Sequence, residues 1–195
     1  MKKILIFIII MLISINKIYA MSESQILPIS EGVENAKIEV IVYESLSCSH
    51  CAKFHEDVYP KLKEEFIDTG MVKIIFKHFP LDMAALNASK IAQCKNDGKS
   101  DLLHLLFKKQ SIWLKGETLE EINKNLKSVL KEENIEIDFS SCVNNSSIED
   151  FVLNNRIEGV KKFEVNSTPT IIINNKKFKE SLTFKNLKKY IEKLI

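Results

Sequence analysis

The chain has 195 residues, with 28 basic and 26 acidic side chains and a formal net charge of +2. A charge balance this close to neutral gives no reason to expect a nucleic-acid partner. The length suits one domain with a sizeable core, and the chain is too long and too apolar to be a small scaffold that depends on disulfides for folding.

The first 20 residues have the pattern of a secretory signal peptide. Lys2 and Lys3 precede an uninterrupted apolar run at residues 4–13, and a short polar stretch ends at Ala20. This apolar run is shorter than the stretch of about 20 apolar residues that a membrane helix needs. We therefore expect cleavage after Ala20 and export to the periplasm, with a retained membrane anchor as the alternative. Cleavage would leave 25 basic and 26 acidic side chains, a net charge of −1.

All four cysteines lie beyond the predicted cleavage site. An even number of cysteines in an exported chain favours disulfides over buried free thiols. Four cysteines allow three pairings. Their spacing favours Cys48 with Cys51 and Cys94 with Cys142.

A predicted β-α-β unit follows a polar leader at residues 21–36. Residues 38–43 are apolar apart from one glutamate, which predicts a buried strand. Cys48-Ser49-His50-Cys51 comes next, and apolar residues then recur at helical spacing as far as residue 66. Cys48 should therefore lie at or just before a helix N-terminus. Residues 72–79 predict a second strand, parallel to the first.

Residues 82–165 then predict a series of helices with no strand between them. Thr118 and Glu121 have the spacing of a capping box in front of one of these helices. Strand character returns at residues 170–173, a hairpin follows, and a final helix begins near Thr183. This order predicts an α/β chain with a thioredoxin fold that carries an inserted α-helical subdomain.

With these elements in this order, the chain resembles the DsbA family of exported thiol-disulfide oxidoreductases, and within it the alphaproteobacterial branch. The resemblance divides the mature chain into a first thioredoxin part at residues 37–81, the insertion at 82–165 and a second thioredoxin part at 166–195. It is carried by residues 43–55 around the cysteine pair, residues 66–70, residues 79–82, Cys94, Gln110, Trp113, Cys142 and residues 165–170.

Cys48 and Cys51 carry the predicted chemistry. A thiolate is the reactive form of cysteine, and its pKa falls at a helix N-terminus or beside a partly cationic histidine, which here is His50. A dithiol whose reduced form is stabilised in this way is a strong oxidant. We expect Cys48 to be the exposed nucleophile and Cys51 its buried resolving partner. The alternatives are a structural disulfide and a zinc site of these residues with His55.

The resemblance implies roles for three further residues near the motif. Pro169 would be a cis-proline facing the cysteines, and it would expose the backbone of Thr168 to an extended substrate segment. The Thr168 hydroxyl would tune the thiolate, although threonine here is common among isomerases and reductases, whereas valine is frequent in strong oxidases. Ser49 replaces the proline that the family most often has, which should loosen the turn and alter the redox potential.

Other polar residues have two interpretations each. Glu44 either transfers protons to and from Cys51 or is a solvated glutamate. Cys94 and Cys142 would form a structural disulfide between two helices of the insertion, or else a second redox-active pair. The remaining histidines in the mature chain are expected at the surface or in the core: His55, His78 and His104.

The sequence thus predicts an exported thiol-disulfide oxidoreductase that introduces disulfides into reduced, unfolded, newly translocated proteins. The Cys48-Cys51 dithiol would be the cofactor, with no metal and no nucleotide. A quinone-linked membrane protein of the DsbB type would reoxidise it. We expect a monomer, because residues 21–36 are too short for the dimerisation domain of dimeric isomerases. The alternatives are an isomerase or reductase kept reduced by a membrane electron donor, and a non-catalytic chaperone or binding module.

Overall fold

The structure, a computed structural model, describes residues 25–195, and the predicted signal peptide lies outside them. A five-stranded sheet has the strand order β1-β3-β2-β4-β5. β2 and β3 are parallel, and the other neighbouring strands are antiparallel. The strands are Ile29–Glu31 (β1), Ile38–Glu44 (β2), Val72–His78 (β3), Thr170–Ile173 (β4) and Lys176–Lys177 (β5).

Residues 25–195 also contain nine α-helices and a π-helical segment at Lys63–Ile67. None of the helices in this range has the length and hydropathy that a membrane crossing requires. The helices are Ser49–Asp57 (α1), Tyr59–Leu62 (α2), Met83–Gln93 (α3), Asp101–Lys108 (α4), Gln110–Trp113 (α5), Leu119–Glu132 (α6), Phe139–Val143 (α7), Ser146–Phe163 (α8) and Phe184–Glu192 (α9).

The central strand β2 is buried because both faces of the sheet are covered. On one face, Val40 and Val42 pair in register with Ile74 and Phe76 of β3, and all four lie in the main core. Tyr43 faces the other way and belongs to a smaller core under α8. β2 therefore reads as an apolar run rather than as an alternating pattern, which is typical of a strand buried on both faces.

The structure adds an edge strand that the sequence does not predict. Within the leader, Ile29 is 1% exposed and pairs with Phe76 of β3. A strand of three residues is too short to show alternation in the sequence. Its conformation is set by the partner strand β3, which lies more than 40 residues further along the chain.

The helix predicted as far as residue 66 is divided into α1, α2 and the π-helical segment. The division falls at Val58, just before Pro60, which has no N–H to donate to the carbonyl four residues earlier. The apolar spacing nevertheless holds, because Phe54, Leu62 and Phe66 all face the main core. The periodicity identified the buried face but not the interruption.

The insertion consists of α3 to α8. Thr118 and Glu121 form the predicted capping box at the start of α6. Cys94, at the end of α3, forms a disulfide with Cys142 of α7, and their Cα atoms are 5.6 Å apart. Because the bond closes a loop across 48 positions, loop-closure entropy assigns it about 4 kcal/mol.

Candidate active site

The two motif cysteines lie at the start of α1 with unequal exposure. Cys48 is the N-cap of the helix and is partly exposed, whereas Cys51 is completely buried in its first turn. Both are free thiols in this structure. The N–H groups of Cys51 and Ala52 point back to the Cys48 carbonyl at 3.1 and 3.2 Å. The Cys48 sulfur therefore lies at the positive end of the α1 dipole.

The pKa of Cys48 is lowered from 9.0 to about 5. The largest cause is the hydrogen bond from the Cys51 thiol, which outweighs the opposing effect of burial. Thr168 and the backbone N–H groups of Cys51 and His50 lower the pKa further. The His50 side chain is exposed, and its backbone N–H contributes to the low pKa of Cys48. A role for the His50 imidazole stays a prediction. Cys48 is consequently a thiolate at neutral pH.

The pKa of Cys51 moves in the opposite direction. Burial raises it most strongly, and the hydrogen bond to Cys48 and the nearby charge of Glu44 raise it further. The backbone N–H of Ser45 opposes these effects without balancing them. The reduced pair is therefore a Cys48 thiolate beside a Cys51 thiol, and the two sulfurs have different chemical roles.

The loop before β4 brings Thr168 and Pro169 against the cysteines. The bond between these two residues is cis, as the resemblance implies. The Cys48 sulfur lies 3.3 Å from the Thr168 carbonyl oxygen. The Thr168 hydroxyl is buried without a hydrogen-bond partner, and its proximity to Cys48 helps to lower the pKa of that thiol.

A groove of about 830 Å³ opens beside this loop. Its walls come from α1, from the Thr168-Pro169 loop and from the segment before α9. Ser49 lies at the exposed start of α1. The side chains that line the groove include His50, Phe54, Val58, Pro169, Leu182 and Phe184, with Lys53, Lys61 and Lys185 among the charged ones.

Gln110 connects the insertion to the active-site loop. Its amide nitrogen donates to the carbonyl oxygens of Leu46 at 2.8 Å and Cys48 at 3.0 Å. Trp113, in the same short helix α5, donates its indole N–H to the Leu106 carbonyl of α4 at 2.7 Å. In the sequence, Gln110 was noted only as part of the family resemblance, and its structural role was not predicted. The signal that could have indicated this role is a glutamine at a position that the apolar spacing of the helix places in the core.

His55 and His104 pack against aromatic rings, as expected of packing residues, and they also have polar partners that the sequence did not reveal. The ring of His55 contacts Glu44 at 2.7 Å and the ring of His104 at 2.8 Å. Glu44 is 2% exposed and is therefore not a solvated glutamate. His78 is a core residue, and burial lowers its pKa to about 4.

The zinc alternative finds no support in the described part of the chain. No group of three or more His, Cys, Asp or Glu side chains between residues 25 and 195 could hold a metal ion. His55 instead faces a carboxylate and a second imidazole. The two motif sulfurs remain beside each other and the cis-proline loop.

Residues 25–193 match the protein-family model described as "Thioredoxin". The solved structure of Wolbachia pipientis alpha-DsbA1 is 28% identical in sequence and superposes with a TM-score of 0.77. The match covers 92% of this chain and 94% of the Wolbachia chain. The chain belongs to the thioredoxin family, as a DsbA-type protein. Its relatives place it in the alphaproteobacterial branch. The predicted thioredoxin fold is thereby confirmed.

Two curated relatives of this DsbA-type protein have names that describe disulfide chemistry. Disulfide bond formation protein D of Bacillus subtilis is 29% identical over 175 residues, which are 83% of this chain and 74% of the relative. A Rickettsia bellii protein, provisionally named a protein-disulfide oxidoreductase, is 28% identical over 148 residues, which are 73% of this chain. The match covers 55% of that longer relative, so this chain spans about half its length.

Proposed function

We propose that this protein is an exported thiol-disulfide oxidoreductase that introduces disulfide bonds into newly translocated proteins. The observation that carries the proposal is the Cys48 thiolate, with a pKa of about 5, beside a cis-proline groove. A sulfur with a low pKa is a good leaving group in thiol-disulfide exchange. A disulfide that contains it is therefore readily passed on to a substrate.

The reaction begins with Cys48 and Cys51 joined in a disulfide. A substrate thiolate attacks the Cys48 sulfur, a mixed disulfide forms, and the Cys48-Cys51 bond breaks with its electron pair on Cys51. Cys51 then takes up a proton, because its raised pKa disfavours the buried thiolate. A second substrate thiolate attacks the first substrate sulfur and expels Cys48 as a thiolate. The substrate loses two electrons and the protein gains them.

The groove supplies a place for the substrate chain. Pro169 has no N–H, so the loop exposes the polar backbone groups of Thr168 beside the Cys48 sulfur. An extended segment that pairs with this backbone brings its cysteine to Cys48. Unfolded proteins offer such segments, which favours reduced, newly exported chains as substrates in the periplasm.

Reoxidation passes the two electrons taken from the substrate to a membrane partner. A quinone-linked protein of the DsbB type is the chemical class that fits, because it accepts two electrons through its own disulfide. The Cys48-Cys51 pair is then the cofactor of a monomeric enzyme, with no metal or nucleotide needed.

A second candidate function is that of an isomerase or reductase kept reduced by a membrane donor. The feature in its favour is Thr168 before the cis-proline, because the resemblance associates threonine at this position with isomerases and reductases. The reduction potential separates the two candidates. A potential of about −120 mV supports the oxidase, and a potential of about −270 mV supports the reductase.

The direct test measures disulfide formation in a reduced, unfolded model protein. The oxidised wild-type protein should form these disulfides, and Cys48→Ala should abolish the reaction because no mixed disulfide can form at Cys48. Activity that persists in Cys48→Ala contradicts the proposal. A non-catalytic chaperone would instead retain its activity when both motif cysteines are replaced. Trapping mixed disulfides with Cys51→Ala in the host would identify substrates and the reoxidising partner.

A further inference from the structure

Four side chains from four separate elements form a line of hydrogen bonds behind the active site. Glu44 of β2 contacts His55 of α1, with Oε2 and Nε2 separated by 2.7 Å. The Nδ1 atoms of His55 and His104 of α4 are 2.8 Å apart. His104 Nε2 lies 2.8 Å from Glu31 Oε1 of β1. The line therefore crosses the molecule from the end of β2 to the edge of the sheet.

The two ends of this line differ in their access to water. The Glu44 side chain is 1% exposed and that of His55 is 5% exposed, whereas His104 is 23% exposed. Glu44 Oε1 is buried without a hydrogen-bond partner. The inner end lies near Cys51, because His55 is one helical turn beyond Cys51 in α1 and Glu44 directly precedes Ser45, whose backbone N–H is close to the Cys51 thiol.

The rings of the line are held by aromatic stacking. His55 stacks on Phe107 with ring centroids 4.1 Å apart. His104 stacks on Tyr59 at 4.2 Å. These contacts cover the faces of both imidazoles and leave their nitrogens directed along the line. The geometry thus favours transfer of a proton from one ring to the next.

The three hydrogen bonds of the line require one proton more than two neutral imidazoles and two ionised carboxylates supply. Its three hydrogen bonds need three protons. Two neutral imidazoles supply one N–H each, and two ionised carboxylates supply none. The third proton can lie on Glu44, His55 or His104, and each placement preserves all three hydrogen bonds. The extra proton can therefore move along the line without breaking it.

Glu31 anchors the outer end as an ionised carboxylate. Burial acts to raise its pKa, but hydrogen bonds from His104, Ser100 and Tyr59 outweigh this effect and lower the pKa to about 2. The Lys63 ammonium lies 3.6 Å away. An ionised Glu31 orients a proton on His104 Nε2. Because His104 is the most exposed imidazole of the line, that proton is the one that exchanges with water.

Several charged groups surround the line in the described residues. Lys63 of the π-helical segment faces Glu31. The other charged residues that line the cavities beside His55, His104 and Glu31 are Glu56, Asp97, Lys99, Asp101 and Lys108. Two carboxylates act on the neighbouring phenol of Tyr59 from further away, Asp68 and Asp101. Both lie toward the outer end of the line, which leaves Glu44 as the acidic group beside Cys51.

We propose that Glu44, His55, His104 and Glu31 form a proton relay that exchanges protons between the buried Cys51 and water at His104. The inference rests on the exchange chemistry of the proposed function. During substrate oxidation the Glu44 end protonates the leaving Cys51, directly or through one water molecule, and His104 takes a replacement proton from solvent. During reoxidation the proton of Cys51 enters at Glu44 as another leaves at His104.

The resolving step tests the relay in isolation. Cys48 is first converted to a mixed disulfide with thionitrobenzoate in the full chain. The Cys51 thiol loses its proton, its sulfur attacks Cys48, and the coloured thionitrobenzoate anion leaves with the electron pair of the broken bond. Stopped-flow absorbance then gives the rate across pH. We expect His104→Phe to slow the release by roughly tenfold or more at neutral pH, with the deficit shrinking as hydroxide becomes available.

Three further variants make the result interpretable. Ser111→Ala is the matched control, because Ser111 lines the same cavity as His104 but lies outside the line; it should react like the wild type. In His104→Ala, free imidazole should enter this cavity of about 580 Å³ and restore the rate. Glu31→Gln keeps the shape of the Glu31 side chain and removes its charge. The midpoint of the pH dependence of its release rate should fall, because the line loses a negative charge that stabilises its extra proton.

The outcomes separate the relay from the proposed function. A wild-type protein that never releases thionitrobenzoate contradicts the exchange chemistry itself. Wild-type release matched at every pH by both His104→Phe and Glu31→Gln overturns the relay and leaves the oxidoreductase proposal standing. A slowing that is equal at all pH values and is not rescued by imidazole assigns His104 a purely structural role, which also overturns the relay.

Discussion

Removal of the Cys51 thiol should raise the pKa of Cys48, because the hydrogen bond from that thiol is the largest cause of its low value. Cys51→Ala deletes this donor and leaves Thr168 and the backbone N–H groups in place. Hydrogen bonds to charged groups contribute about 1.5–3 kcal/mol, or roughly 1–2 pKa units. Because Cys48 is partly exposed, the lower value applies, and we expect its pKa to rise from about 5 to roughly 6.

Thiolate absorbance measured against pH gives this value directly, and the rate of alkylation checks it independently. Thr168→Val is the companion variant. It should raise the pKa of Cys48 less than Cys51→Ala does, since Thr168 is a smaller cause than the Cys51 thiol. The reasoning fails if Cys51→Ala titrates at or below the wild-type pH, or if the wild-type thiol titrates near 9.

Two further predictions concern stability. His78 has a pKa of about 4 in the folded protein against 6.5 ordinarily, so the unfolded chain binds the proton first and stability falls as pH drops from 6.5 towards 4. Denaturant titrations at pH 7 and pH 4 give the loss in the free energy of unfolding between these two pH values. This loss should be about 3 kcal/mol smaller in His78→Gln than in the wild type. Equal losses in the two proteins would contradict the prediction. Gly159→Ala would place a Cβ 2.7 Å from the Tyr43 ring and should destabilise the protein by about 1–3 kcal/mol despite better helix propensity. An unchanged melting temperature would show that the ring moves aside freely.

Local patterns accounted for much of the fold. The run at residues 38–43 predicted β2, residues 170–173 predicted β4, and the Thr118 capping box predicted the start of α6. Each of these signals lies within a few neighbouring residues, so tertiary contacts did not have to be known. The cysteine motif likewise marked its own place at a helix N-terminus, because strand and helix patterns meet there.

Features that depend on distant pairs could not be predicted in this way. His55 and His104 are 49 positions apart, and Glu31 lies 73 positions from His104. No periodicity links such residues, and a histidine in an apolar helix has the same appearance whether it packs or donates. The path behind Cys51 became visible only once the sheet edge and α4 were brought together.

The double hydrogen bond from Gln110 to the carbonyls of Leu46 and Cys48 gives the helical insertion a second role. In this chain the core loop before Cys48 depends on an amide that the insertion supplies. A minimal protein made by excising residues 82–165 would therefore lose support for its own reactive loop, and substitutions in α5 offer a way to adjust reactivity without altering the groove.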